Sequence, residues 1–482
     1  MTPFWIAVIL LLYFSVLLII ARITSKGANN ESFFIGNRKS PWFVVAIGMI
    51  GASISGVTFI SVPGWVVTSQ FAYMQMVLGY LAGYQVIMWL LLPLYYKLRL
   101  TSIYGYLGQR FGYWSYKSGA VYFLISRIIG SAARLFLVAS VLQLTLFDAL
   151  HVPFAINVLI TIGLIWLYTF RGGIRTIIWT DSLQALLFIT ALILSVVFLM
   201  QDLDLGWSGM IDTIKDTGLG KVFFWDDFAS DRKHFIKYFL GGMFITITMT
   251  GLDQDMMQKN LSCKTLKDSQ KNMAWFSFLL IPINLLFLIL GALLILFARS
   301  RQIDIPAASD QLFPMIATQG YLNPVVGVVF ILGLVAAAYS SADSAMTALT
   351  TSITIDILNM GGASEEKTRK VRYRVHVLLS LVFLVIILLF RALNNKSIID
   401  TIFTIAGYTY GPLLGLFVFG MFTRYNIKDR AVPLVVVLAP VLTYVIQLYS
   451  SKLLYGYVFS FELLIINGLI TFMGLWLIRR RS

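Results

Sequence analysis

The sequence predicts an all-α integral membrane protein with thirteen transmembrane helices. Three observations carry that expectation. Of the 482 residues, 59% are hydrophobic and only 12% charged, about half the roughly 25% of a soluble domain. Thirteen predominantly apolar runs approach the ~20 residues a helix needs to cross a bilayer. Lys and Arg crowd the polar segments after every second run, which is the imprint of membrane topology.

The runs lie near 4–24, 42–65, 72–97, 118–147, 153–170, 177–200, 236–257, 274–298, 324–356, 373–391, 400–423, 432–449 and 459–478. The first has no Lys or Arg before it and no small-residue cleavage pattern after it, so it reads as a retained span and not a signal peptide. The second contains "GMIGASISGVTFISVPGW" (48–65), with four glycines, several serines, Thr58 and Pro63 inside an apolar run. The seventh repeats the theme in "GGMFITITMTGLDQDMMQKN" (241–260), where Gly241, Gly242, Gly251 and alternate threonines interrupt the run. Small residues also let helices pack closely. Two such spans at corresponding positions favour interrupted helices, whose unpaired backbone is tolerated at membrane depth only where protein or a water-filled cavity covers it. Carbonyls freed around Gly51 to Ile54 are oxygen ligands for a hard cation such as sodium.

The fourth run carries Arg127 and Arg134 seven residues apart, roughly on one face; either can pair with a carboxylate or grip a solute carboxylate through two parallel hydrogen bonds. The sixth opens with Asp181. In the ninth, Ala337, Ser340, Ser341 and Ser344 share a face at i, i+3, i+4 and i+7, with Asp343 beside it. A mid-span carboxylate marks an ion or solute pathway by default. Tyr73, Gln75, Tyr408 and Tyr410 are further candidates for a cavity wall.

Basic residues cluster after the odd-numbered runs: Arg22/Lys26/Arg38/Lys39, Lys97/Arg99/Arg110/Lys117, Arg171/Arg175, Lys259/Lys264/Lys267/Lys271, "EEKTRKVRYR", Arg424/Lys428/Arg430 and "RRRS". The 201–235 segment is acidic by contrast. This arrangement predicts an outside N-terminus and a cytoplasmic C-terminus in a cell membrane, and it accounts for the net charge of +15 without a nucleic-acid partner. Residues 1–482 read as one transmembrane domain: an extra span in 1–40, a first five-helix repeat in 41–200, a second in 236–425 and two C-terminal spans in 426–482. Five is odd, so the repeats face opposite ways, and inverted repeats put the binding site where broken helices meet. A single cysteine, Cys263, excludes a disulfide framework. No phosphate loop, H-E-x-x-H motif or nucleophile–His set is present, so an ATP-driven pump and an enzyme both lack their parts, and no organic cofactor is expected.

Six segments in order, "GASISGVTFISVPG" (51–64), "LPLYYKLRLTSIYGYLGQRFG" (92–112), "FRGGIRTIIWTDSLQ" (170–184), "DQDMMQKNLSCKTLKDSQKN" (253–272), "AAAYSSADSAMTALTTSITIDI" (336–357) and "YTYGPLLGLFVFGMFTRY" (408–425), resemble the sodium:solute symporters, which include sugar, proline and sialic-acid transporters. The resemblance implies a leucine-transporter-like fold, with spans 2–6 and 7–11 as the inverted repeats, and alternating access. It also implies a common sodium site on the backbone carbonyls of Gly51 and Ile54 with Ala337, Ser340 and Ser341. A second sodium site would match Asp181, Ser340, Asp343 and Ser344; the family usually has Ser or Thr where Asp343 stands. Ser53, Ser55, Thr58 and Tyr73 match positions near the solute, and Arg134 matches the arginine that holds the carboxylate in sialic-acid members, with Arg127 as the alternative. Val77 replaces a polar glutamine of those members, and Arg175 replaces a small residue. The expectation is symport of one or two Na+ with a small polar organic solute, such as a sugar, a sugar acid or another carboxylate. Alternatives are proton coupling on the Asp181/Asp343 pair and a non-transporting sensor on the same scaffold. The sequence carries no signal for an oligomeric state.

Overall fold

A computed structural model of the protein describes residues 3–170, 172–393, 398–453 and 456–480; Arg171 and the end of the "RRRS" tail lie outside them. In hydrocarbon every backbone N–H and C=O must be paired within the spanning element, and the chain answers with helices. Among the described residues nine are long and apolar enough to span, or up to eleven if each of two bent pairs is one span. Two shorter apolar helices, Phe154–Thr169 and Leu463–Leu477, cover the fifth and thirteenth runs. The strands described are a two-residue pair, Asn426–Ile427 with Arg479–Arg480.

In chain order we label α1 (Pro3–Thr24), α2 (Trp42–Ser53), α3 (Gly56–Ser69), α4 (Tyr73–Lys97), α5 (Tyr113–Phe147), α6 (Phe154–Thr169), α7 (Ile174–Asp202), α8 (Phe235–Gly251), α9 (Gln254–Leu261), α10 (Leu266–Ser300) and α11 (Pro324–Ile357). There follow α12 (Glu365–Leu393), α13 (Ile398–Phe422), α14 (Val432–Leu453) and α15 (Leu463–Leu477). The bent pairs are α2 with α3, at 59°, and α8 with α9, at 63°; these are the two runs loaded with glycine and hydroxyl residues.

α11 is the central post. Its most apolar window is 78% buried, against 22% at the start of α14 and 28% in α1, and every residue from Leu334 to Ser352 is buried. It packs on α2, α3, α5 and α7, because a surface of Ala, Ser and Thr lets four neighbours approach closely. α4 and α8 pack still more tightly: a Cβ at Gly79 or Gly242 would collide with the carbonyl of Phe239 or Met76 on the facing helix. Both breaks are thereby held against the centre of the bundle.

Candidate functional site

At the first break α2 ends on Ser53, Ile54 (φ −86°, ψ 95°) and Ser55 (φ −83°, ψ 169°) are extended, and α3 resumes at Gly56. No side chain caps α3. Among the described residues no hydrogen bond reaches the carbonyl of Gly51 or of Ile54. A Cβ on Gly51 would lie 2.8 Å from Ser340 Oγ, and one on Gly56 would lie 3.1 Å from Ala338 Cβ. The two ends of the break therefore bracket the turn of α11 that bears Ala337, Ser340 and Ser341. Ser341 Oγ donates to the Ala338 carbonyl at 3.0 Å, which leaves its lone pairs available to a cation. The geometry offers only neutral oxygens, the donor type a hard alkali ion takes.

At the second break Leu252 and Asp253 depart from helix, and the Asp253 side chain caps α9 by accepting from the amides of Asp255 and Met256. Tyr95 and Tyr104 donate to the carbonyls of Gly251 and Leu252 at 2.8 and 3.0 Å. Arg127 pairs with Asp255 and lies 3.8 Å from Asp253, which also accepts from the Tyr410 hydroxyl.

Asp181 is fully buried. Its Oδ1 accepts from Ser340 Oγ at 2.8 Å and its Oδ2 from Ser344 Oγ at 3.0 Å. Lys259 Nζ stands 2.6 Å from the same Oδ2 and 4.0 Å from Asp255 Oδ1. Here the structure corrects one expectation. Lys259, expected in a basic cytoplasmic loop, is a helical residue only 1% exposed, because Asp181 and Asp255 offset the cost of burying its charge. Of the expected second ion set, Asp181, Ser340 and Ser344 meet around the Lys259 ammonium, and buried Asp343 lies near them with Tyr168 as a hydrogen-bond neighbour.

Between the breaks lies a cavity of about 110 Å³, and Ser53, Ser55, Thr58, Tyr73 and Arg134 all line it. Arg127 also reaches the wall, but its charge is committed to Asp255. No described carboxylate forms an ion pair with Arg134, so of the two arginines it is the one with charge to spare. Val77 is buried and absent from the wall. Gln75 and Tyr408 are not cavity residues: Gln75 donates to the Lys233 carbonyl at 2.9 Å and accepts from the Phe224 amide, and Tyr408 bonds Gln447. The sequence reading missed Tyr80, Tyr84, Thr246, Thr250 and Asn284, all in the lining. A signal existed for some: Tyr73, Tyr80 and Tyr84 recur at i, i+7 and i+11 on one helix face, and Tyr73 and Tyr80 share a hydrogen bond of 3.2 Å. Asn284 is an amide in mid-span, which the polar-residue rule would have flagged.

The likeness to known proteins agrees with this architecture. The sodium/sialic acid symporter SiaT of Proteus mirabilis (strain HI4320) is 25% identical over 474 residues, covering 95% of this chain and 93% of that protein. The human sodium-coupled monocarboxylate transporter 2 is 25% identical over 408 residues, covering 82% of this chain and 64% of that one. The structure of a Na+-coupled sialic acid symporter, in a substrate-bound outward-open state that revealed a novel Na+ site, superposes with a TM-score of 0.83 at 19% identity, over 99% of both chains, which shows a shared leucine-transporter-like fold. The model of the sodium:solute symporter family matches residues 33–429. With that match spanning both broken helices, the cavity and the central post, the chain belongs to the sodium:solute symporter family, a family of secondary transporters and not of enzymes.

Proposed function

We propose that this protein carries a small carboxylate-bearing solute into the cell by alternating access, driven by sodium bound where α2 breaks against α11. One observation bears most of the weight: the carbonyls of Gly51 and Ile54 receive no hydrogen bond from the described residues while serines of α11 stand opposite. An unanswered buried carbonyl costs several kcal/mol in hydrocarbon, and a sodium ion held by Gly51 O, Ile54 O, Ala337 O, Ser340 Oγ and Ser341 Oγ removes that cost.

Sodium then bridges a bending helix pair and the central post, stabilising the state in which the cavity accepts solute; by linkage, solute strengthens sodium binding by the same factor. Arg134 receives the solute carboxylate, and Ser53, Ser55, Thr58 and Tyr73 offer hydrogen bonds to its polar groups. A carboxylate is favoured over a neutral sugar because Arg134 has no ion-pair partner among the described residues, and because relatives named above are a sialic acid and a monocarboxylate transporter. The full membrane arrangement we propose is thirteen spans, repeats formed by spans 2–6 and 7–11, an outside N-terminus and a cytoplasmic C-terminus.

The test is uptake into proteoliposomes of a panel of labelled sugar acids, monocarboxylates, neutral sugars and amino acids, with and without an inward sodium gradient. Sodium-stimulated accumulation of one or more carboxylates is expected. Binding without flux would instead assign a sensor, and accumulation confined to neutral sugars would remove the role of Arg134.

A further inference from the structure

We infer that the ribbon of chain where α13, α14 and α15 meet is a docking site for the headgroups of anionic phospholipid, with Arg424, Lys428, Arg430 and Arg480 as the cations that receive the phosphates. The strand pair builds it. Asn426 lies opposite Arg480 and Ile427 opposite Arg479, and the Lys428 amide donates to the Ile478 carbonyl at 2.9 Å. Two segments distant in sequence, the turn between α13 and α14 and the end of α15, thereby bring Arg424, Lys428, Arg430, Arg479 and Arg480 to one place.

These charges are unspent. Arg424, Lys428, Arg430 and Arg480 are exposed, and none of the five basic residues forms an ion pair among the described residues. The acid in their midst, Asp429, is committed elsewhere: it caps α5, accepting from the amides of Trp114 and Ser115 at 2.8 Å and from Ser115 Oγ at 2.6 Å. Arg479 is turned inward, its guanidinium carbon 4.5 Å from the ring centre of Trp476 and 5.9 Å from that of Tyr425, beside buried Ile427. Neighbours in a strand alternate between faces, so Arg480 points the other way, to the exposed side of the ribbon.

Position selects lipid over a soluble anion. α13, α14 and α15 present apolar side chains to the bilayer right up to the ribbon, with Phe422 66% exposed, Leu434 62% and Leu477 81%. The first cations follow two residues after Phe422 and Leu477. Trp114, tied by its amide to Asp429, and Tyr425 and Trp476, whose ring centres are 5.1 Å apart, flank the same ribbon, and rings with one polar edge settle at the depth of the headgroups. A cluster of Lys and Arg directly beyond spanning helices is the arrangement that attracts anionic lipid. Here the strand pair holds that cluster in a fixed shape, which a loose basic loop does not.

The experiment needs neither solute nor sodium. The full chain, purified in a neutral detergent, is titrated with phosphatidylglycerol, with phosphatidylcholine of the same acyl chains and with inorganic phosphate, while its melting temperature and the lipid retained in native mass spectra are read. Phosphatidylglycerol is expected to be retained and to raise the melting temperature; the other two are expected to do neither. In Arg424→Gln/Arg430→Gln/Arg480→Gln the lipid-free melting temperature should stay at the wild-type value, because the replaced side chains are exposed and pair with no described acid, and phosphatidylglycerol should bind about fivefold more weakly for each charge removed. Lys367→Gln/Arg369→Gln/Lys370→Gln, which neutralises an exposed basic cluster on α12, should keep wild-type binding. A wild type without preference for phosphatidylglycerol overturns the inference, as does equal weakening in the α12 variant or full binding in the ribbon variant. Equal stabilisation by inorganic phosphate overturns it in favour of a simple ion site. If the triple variant does not fold, Arg480→Gln alone, with its fivefold loss, decides.

Discussion

The two breaks in this molecule bend by nearly the same angle, 59° and 63°, yet they are finished in opposite ways. At the second, protein answers what the bend frees: Tyr95 and Tyr104 donate to its carbonyls, Asp253 accepts its amides, and Arg127 and Lys259 balance its acids. At the first, no cap and no donor among the described residues meets the carbonyls of Gly51 and Ile54. The lesson is that interruption alone does not leave backbone oxygens open to a cation: the donors that reach the break decide that. The protein sets the geometry of the sealed break by itself; the open one is where we propose that sodium binds.

Variants can break that contrast, beginning with the largest effect. Lys259→Ala leaves Asp181 and Asp255 without a shared cation, and removing one partner of a buried ion pair costs about 3–5 kcal/mol. Purified in detergent, the variant should melt far below the wild type, and Lys259→Arg should recover much of the difference. An unchanged melting curve would mean the second break is not held by its charges. Arg134→Ala should leave melting near the wild-type value but raise the half-saturating concentration of a carboxylate solute by about tenfold to a hundredfold, from the loss of about 1.5–3 kcal/mol of charged hydrogen bonding. Arg127→Ala should do the opposite, lowering stability first, since it strips Asp255 of its partner. If the two arginine variants behave alike, the assignment of roles fails.

At the open break, Ser341→Ala removes one ligand oxygen, worth about 1 kcal/mol, and the sodium concentration for half-maximal uptake should rise about fivefold while sodium-free stability stays put. The smallest change sharpens the comparison from the sealed side. Tyr95→Phe deletes one donor to the Gly251 carbonyl, so stability should fall by about 1 kcal/mol, with the sodium dependence of uptake unaltered. A shift in sodium affinity there would show that the second break, too, takes part in ion binding.

Much of this was readable along the chain, because spans, breaks and buried hydroxyls are local signals. Gly51, Gly56 and Pro63 mark the first interruption, the Gly241–Gly251 run marks the second, and the four-residue rhythm of Ala337, Ser340, Ser341 and Ser344 marks the face of α11 turned toward Asp181 and the first break. Lys259 was misread for a physical reason. Seen in sequence it adjoins Lys264, Lys267 and Lys271, and a lysine beside lysines looks solvated; its partner Asp181 is 78 positions away. Arg127 and Arg134 were inseparable for the same reason, since their spacing puts them on one face and only the distant Asp253 and Asp255 tell them apart. Tyr80 and Tyr84 were lost among the many aromatics of a membrane chain.

By itself the sequence determined that the chain lives in a bilayer, where its helices run and where two of them fail. Those outcomes follow from hydropathy, glycine and proline placement, and the alternation of basic segments, all of which act over about one helical span. Only the tertiary structure decided which charges cancel and which oxygens stay bare, because a buried ion pair or an unpaired carbonyl is defined by neighbours that arrive from elsewhere in the fold. In a medium without water to screen or solvate them, those long-range pairings separate a structural lysine from a loop lysine and the ion-paired Arg127 from Arg134, which has no ion pair among the described residues.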